Sequence, residues 1–134
     1  MIVDREQARC LYLTSYLSLL SLTYAIYRNH YNLAIIPGAV FLTSINYWRT
    51  PTYSFIRNLD IAVVITSAVY QTYIAYYSQY GNLYHLTTAA SGLLYLLGIY
   101  YHRKQELWKG TYAHMSLHVM ANIGNIVLYS GYTK

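Results

Sequence analysis

An all-α polytopic bundle of five membrane-crossing helices is the fold this sequence predicts, and three observations predict it. Of the 134 residues, 56% are hydrophobic and only 10% are charged, against about 25% charged in a typical soluble domain. The apolar residues gather into runs close to the ~20 residues that a bilayer-spanning helix needs. The basic residues fall in alternate connections between those runs, as the positive-inside bias requires. The 19 tyrosines hold the mean hydropathy to +0.22, yet tyrosine is an amphipathic ring suited to membrane interfaces. A chain of this length suits a single domain over residues 1–134.

The first span, residues 10–27, ends at Arg28-Asn29-His30. It is too long for the apolar region of a signal peptide and no small-residue cleavage pattern follows it, so it reads as a retained span. The second, residues 31–48, contains Pro37-Gly38, which interrupts helical hydrogen bonding. The third, residues 60–78, is rich in Ile, Val, Ala and Tyr. The fourth, residues 82–101, carries the small-residue patch Ala89-Ala90-Ser91-Gly92, suited to close helix approach. The fifth covers residues 112–129. Runs of this length lack the alternation of barrel strands, and an open sheet cannot satisfy its backbone in lipid.

With the N-terminus cytoplasmic, the inner side carries Arg5, Arg9, Arg49, Arg57, Arg103, Lys104 and Lys109, and the outer side only Arg28 and Lys134. No run of Lys or Arg reads as a nucleic-acid patch. Cys10 stands alone, so no intramolecular disulfide can form. The partners implied are the bilayer and a lipid substrate, with the tyrosines available for packing in a homo-oligomer or a larger membrane complex.

The chemistry centres on the fifth span, where His114 and His118 lie four apart on one helix face. Ionisable groups in a membrane are costly and turn toward a partner or a wet cavity. The topology puts both histidines in the inner half of the bundle, together with Ser44 near the end of the second span and Asp60 at the start of the third. Paired imidazoles one turn apart suit Zn²⁺, which in catalytic sites takes three protein ligands and a water. Asp60 is the natural third ligand, or the base that takes a proton from bound water, and His102 is the alternative third ligand. H-x-x-x-H without the glutamate of H-E-x-x-H gives no support to a soluble-metalloprotease mechanism. Structural roles also suit these residues: Asp60 as the N-cap of the third helix or a partner of Arg57, and Ser44 as an interhelical hydrogen-bonder.

The set Ser44-Ile45-Asn46-Tyr47-Trp48, Leu59-Asp60 and His114-Met115-Ser116-Leu117-His118 resembles the motifs of the superfamily that joins alkaline ceramidases with the progestin and adiponectin receptors. That resemblance implies a zinc-dependent attack of water on a lipid amide, with Ser44 and Asp60 supporting the water and the two histidines among three zinc ligands. Two features depart from the pattern: Trp48 stands where the first zinc histidine falls, and the family has seven spans. The segments 46–51 and 122–125 are also similar to small membrane proteins of large DNA viruses. Two functions are therefore expected. One is a shortened metal-dependent hydrolase of a lipid amide or ester, with His114, His118 and Asp60 as ligands, Ser44 and Asp60 catalytic, and Arg57 against an anionic head group. The other is a non-enzymatic structural or assembly component of an organelle membrane, a virion membrane or a membrane complex.

Overall fold

The computed structural model describes residues 3–52 and 54–132, and the described residues are helical apart from short turns. The helices are α1 (Arg5–Thr14), α2 (Leu17–Tyr27), α3 (Tyr31–Arg49), α4 (Phe55–Ala75), α5 (Gly81–Arg103) and α6 (Leu107–Gly131). The all-α class is the one the composition predicts. Helices α1 and α2 form one rod, Arg5–Tyr27, broken at Ser15-Tyr16. The hydroxyls of Thr14 and Ser15 both donate to the carbonyl of Leu11, at 3.1 and 2.8 Å, and such back-bonding bends a helix.

The ends of the helices differ from those the hydropathy runs predict. α1 begins at Arg5, α4 at Phe55 and α6 at Leu107, five residues before each apolar run. Hydropathy marks where a chain is apolar, whereas a helix ends where its orphan backbone groups find partners. At α4 that partner is Ser54, whose hydroxyl accepts from the amide of Arg57. Ser54 is therefore the N-cap, and Asp60 lies in the second turn rather than at the cap expected of it. α3 continues as a helix through Pro37.

Two turns close by the same device. After α2, Asn29 adopts φ 60°, its amide donates to Ile26 and that of His30 donates to Ala25. After α5, Gln105 adopts φ 59°, its amide donates to His102 and that of Glu106 donates to Tyr101. Both are Schellman turns, which place one residue in the left-handed region. Asparagine tolerates that region and glutamine less so. Gln105→Gly is expected to stabilise the chain by about 0.5–1 kcal/mol, read as a higher thermal midpoint in detergent; an unchanged or lower midpoint would contradict this account of the turn.

α6 is the central helix, packing along α5 and against α1 and α2, while α3 lies against α1, α2 and α4. Side chains cluster at the two ends of the bundle. Ala25, Leu33, Ile74, Tyr84, Leu128 and Tyr129 close the end where α2 meets α3 and α4 meets α5. Leu11, Tyr47 and Trp48 close the other. Between them the interior is polar: Ser18, Ser21, Ser44, Asp60, Gln71 and Thr87 are buried, while Leu20, Ile35, Ile65, Val69, Leu86 and Leu93 face outward. This inverts the usual pattern, in which polar groups are mostly exposed.

By length and composition, one helix among the described residues is apolar enough to cross a membrane, Arg5–Tyr27 with mean hydropathy 1.3. The other long helices, of 19 to 25 residues, have the length but carry tyrosine, serine, threonine and asparagine that lower their hydropathy. Five membrane-spanning helices are thus not established by composition.

Candidate functional site

Ser44 sits in the last turns of α3 and Asp60 in the second turn of α4. The antiparallel pairing of these helices across a short turn brings the two together, and the Ser44 hydroxyl donates to Asp60 Oδ1 at 2.9 Å. Both are buried, Asp60 at 8% exposure. On α6 the rings of His114 and His118 meet edge to face with centroids 4.8 Å apart, as the four-residue spacing predicts. Ser44, Asp60, His114 and His118, from three helices, all line one cavity of about 400 Å³ between the two end clusters.

His118 is held from the first helix. Thr14 Oγ1 lies 2.7 Å from His118 Nδ1, and the Thr14 proton is directed at the carbonyl of Leu11. Oγ1 therefore accepts, Nδ1–H donates, and the free lone pair of the neutral ring sits on Nε2. A hydrogen bond on one ring nitrogen that fixes the other is the arrangement that orients metal-binding histidines. His114 instead meets Trp48, whose ring packs edge to face at 5.2 Å. Trp48 is 7% exposed, with Tyr47 against it at 4.6 Å.

The donor set differs from the one that the resemblance implies. Two imidazoles are adjacent, but an indole, which offers no ligand atom, occupies the neighbouring position where the resemblance calls for a third histidine. Asp60 lines the same cavity without joining them, since no three His, Cys, Asp or Glu among the described residues are grouped to hold a metal ion. His102, the alternative third ligand, lies in the last turn of α5 and is absent from the cavity wall. The described residues thus place two imidazoles side by side with no grouped third ligand.

A second polar group was not foreseen. Tyr129 donates to Gln71 Oε1 at 2.6 Å, and Gln71 Nε2 donates to Asn125 Oδ1 at 2.8 Å and to the Tyr84 hydroxyl at 3.3 Å. Asn125 donates to Ser21, and Ser21 donates to Asn122 at 2.6 Å. This knot ties α2 to α4, α5 and α6. His114, His118, Asn122, Asn125 and Tyr129 recur at helical spacing, so the α6 half of it is a periodic stripe present in the sequence. Gln71 and Thr14 carry no such signal; only packing selects them. His30 and His85 lie toward the opposite end from His114, against Tyr132 and Tyr76.

No protein family, curated protein or solved structure matches this chain.

Proposed function

We propose that the chain is a multi-pass membrane protein with five spans and a cytoplasmic N-terminus, whose bundle holds a polar intramembrane site for the head of a lipid-like ligand. One observation carries this reading: Ser44, Asp60, His114 and His118, distant in sequence, line a single cavity inside a bundle whose outward faces are apolar. Lipid tails are as apolar as leucine, so a bundle in lipid turns leucines outward and keeps hydroxyls and amides for contacts between helices. The exposed Leu20, Leu42, Val69, Leu93 and Leu96 fit that solvent and not water. Helices of 19 to 25 residues reach across a hydrocarbon layer of about 30 Å.

Labelling decides the topology. In a Cys10→Ala background, Thr52→Cys and Gln79→Cys place single thiols on exposed turns at opposite ends of α4. In right-side-out vesicles an impermeant maleimide is expected to reach position 79 at once and position 52 only after permeabilisation. Equal labelling of both in sealed vesicles would overturn the five-span reading.

A second reading, a metal-dependent hydrolase of a lipid amide or ester, is favoured by the fixed Nε2 lone pair of His118 beside His114 and by the Ser44–Asp60 pair in the same cavity. Trp48 against His114 weighs toward the ligand-binding, non-enzymatic reading. Zinc content of the purified chain separates the two.

A further inference from the structure

We propose that the cavity binds a single-chain amphiphile with a positively charged amine head. The ammonium group sits against Asp60 and Ser44, and the chain leaves the bundle between α4 and α5. The inference rests on the multi-pass membrane reading and names the ligand class of its site.

The charge pattern selects the head group. Asp60 is the sole carboxylate on the cavity wall, and no Lys or Arg lines it. Among the described residues Asp60 forms no ion pair; the single ion pair is Lys109–Glu106, at the surface. Ser44 donates to Oδ1 and the Thr43 side chain also interacts with the carboxyl group; these neutral hydroxyls orient the carboxylate without balancing its charge. In its ionised form a carboxylate this buried calls for a cation beside it, and among the described residues no Lys or Arg on the cavity wall supplies one. A ligand amine does. The same wall has no cation to hold a phosphate or carboxylate head, so anionic lipids are disfavoured.

The shape selects the chain and its route. The deep wall, from the α1–α2 break, α2 and α6, is polar, with Ser15, Ser18, His118 and Asn122. The opposite wall is made by Ile61, Val64 and Ile65 of α4 with Gly92 and Tyr95 of α5. Val64, Ile65, Gly92 and Tyr95 are exposed, so the cavity opens sideways there rather than at its capped ends. An amphiphile arriving from the hydrocarbon layer meets these apolar side chains at the opening, with Asp60 on the wall of the same cavity. A cavity of about 400 Å³ lies within the ~300–1,000 Å³ range of small-ligand sites.

The test compares dodecylamine, dodecanol and dodecanoate on the full chain in nanodiscs, with binding read by native mass spectrometry. The wild type is expected to favour the amine over the alcohol by at least about tenfold, the size of one charge-assisted contact, and to bind dodecanoate least. Asp60→Asn keeps the shape and a partner for Ser44 and should bring amine and alcohol level. Gly92→Trp fills the side opening; a Cβ at Gly92 meets nothing within 4 Å, and this variant, its folding checked by its thermal midpoint against the wild type, should lose both ligands alike. Equal binding of amine and alcohol by the wild type, or an amine preference that survives in Asp60→Asn, overturns the proposal. Resistance of the chain to alkaline extraction is measured alongside. A chain that fails to insert overturns the membrane reading and this inference with it, whereas an inserted chain without amine preference overturns this inference alone.

Discussion

Trp48→His is expected to create a tight zinc site beside the cavity. The indole of Trp48 lies 5.2 Å from the His114 ring, and His118 is already oriented through Thr14. An imidazole at position 48 supplies the third nitrogen, and three protein ligands with one open position are the usual set for catalytic zinc. Affinity should rise by more than about 100-fold over the wild type, with about one zinc per chain retained through detergent purification and measured by elemental mass spectrometry. Adding His114→Ala and His118→Ala to this variant should remove the metal. If Trp48→His holds no more zinc than the wild type, the ring contact does not mark a ligand position. Near-stoichiometric zinc in the wild type itself, lost in the His114→Ala/His118→Ala chain, would instead make the hydrolase reading the one to pursue with lipid amides and esters.

Gly81→Ala is expected to be the most destabilising single-methyl change in the chain. Gly81 opens α5 directly after the turn from α4, and a Cβ there would be driven into the carbonyl oxygen of Ala75. The obstacle is backbone, so a rotamer change gives no relief and the first turn of α5 must move. That turn carries Tyr84, which receives the hydrogen bond from Gln71, so the shift also loosens the knot that ties four helices together. The cost should be about 3 kcal/mol or more, read as a large fall in thermal midpoint in detergent. Gly92→Ala is the matched control: it meets open space and should be neutral or stabilise by up to about 1 kcal/mol. A Gly81→Ala chain as stable as the control would show that the close approach at the α4–α5 turn is not what holds these helices together.

Helix type and order were legible in the sequence because apolar runs of this length have one economical backbone solution. The level of the candidate residues was legible for a related reason: helices that alternate in direction put Ser44, Asp60, His114 and His118 at one end by counting residues along each rod. The boundaries were not, and Asp60 shows why. Its carboxyl group suits an N-cap as well as a buried site, and the sequence cannot tell whether Ser54, six residues earlier, takes the cap first. Once Ser54 does so, Asp60 turns inward to Ser44.

The sequence by itself thus determined an all-helical chain, the run of each helix to within about one and a half turns, and the level along the bundle at which the polar side chains fall. The periodic stripe of His114, His118, Asn122, Asn125 and Tyr129 was there to be read. Tertiary structure alone decided which rotation of each helix faces the cavity. It selected Thr14 to fix His118 and Gln71 to join Asn125, Tyr84 and Tyr129, and it left His102 outside the site. It also set Trp48 against His114 and left α4 and α5 apart beside Gly92. The physical reason is that depth follows from the rise along one helix, a local quantity, whereas facing depends on how every other helix packs around it.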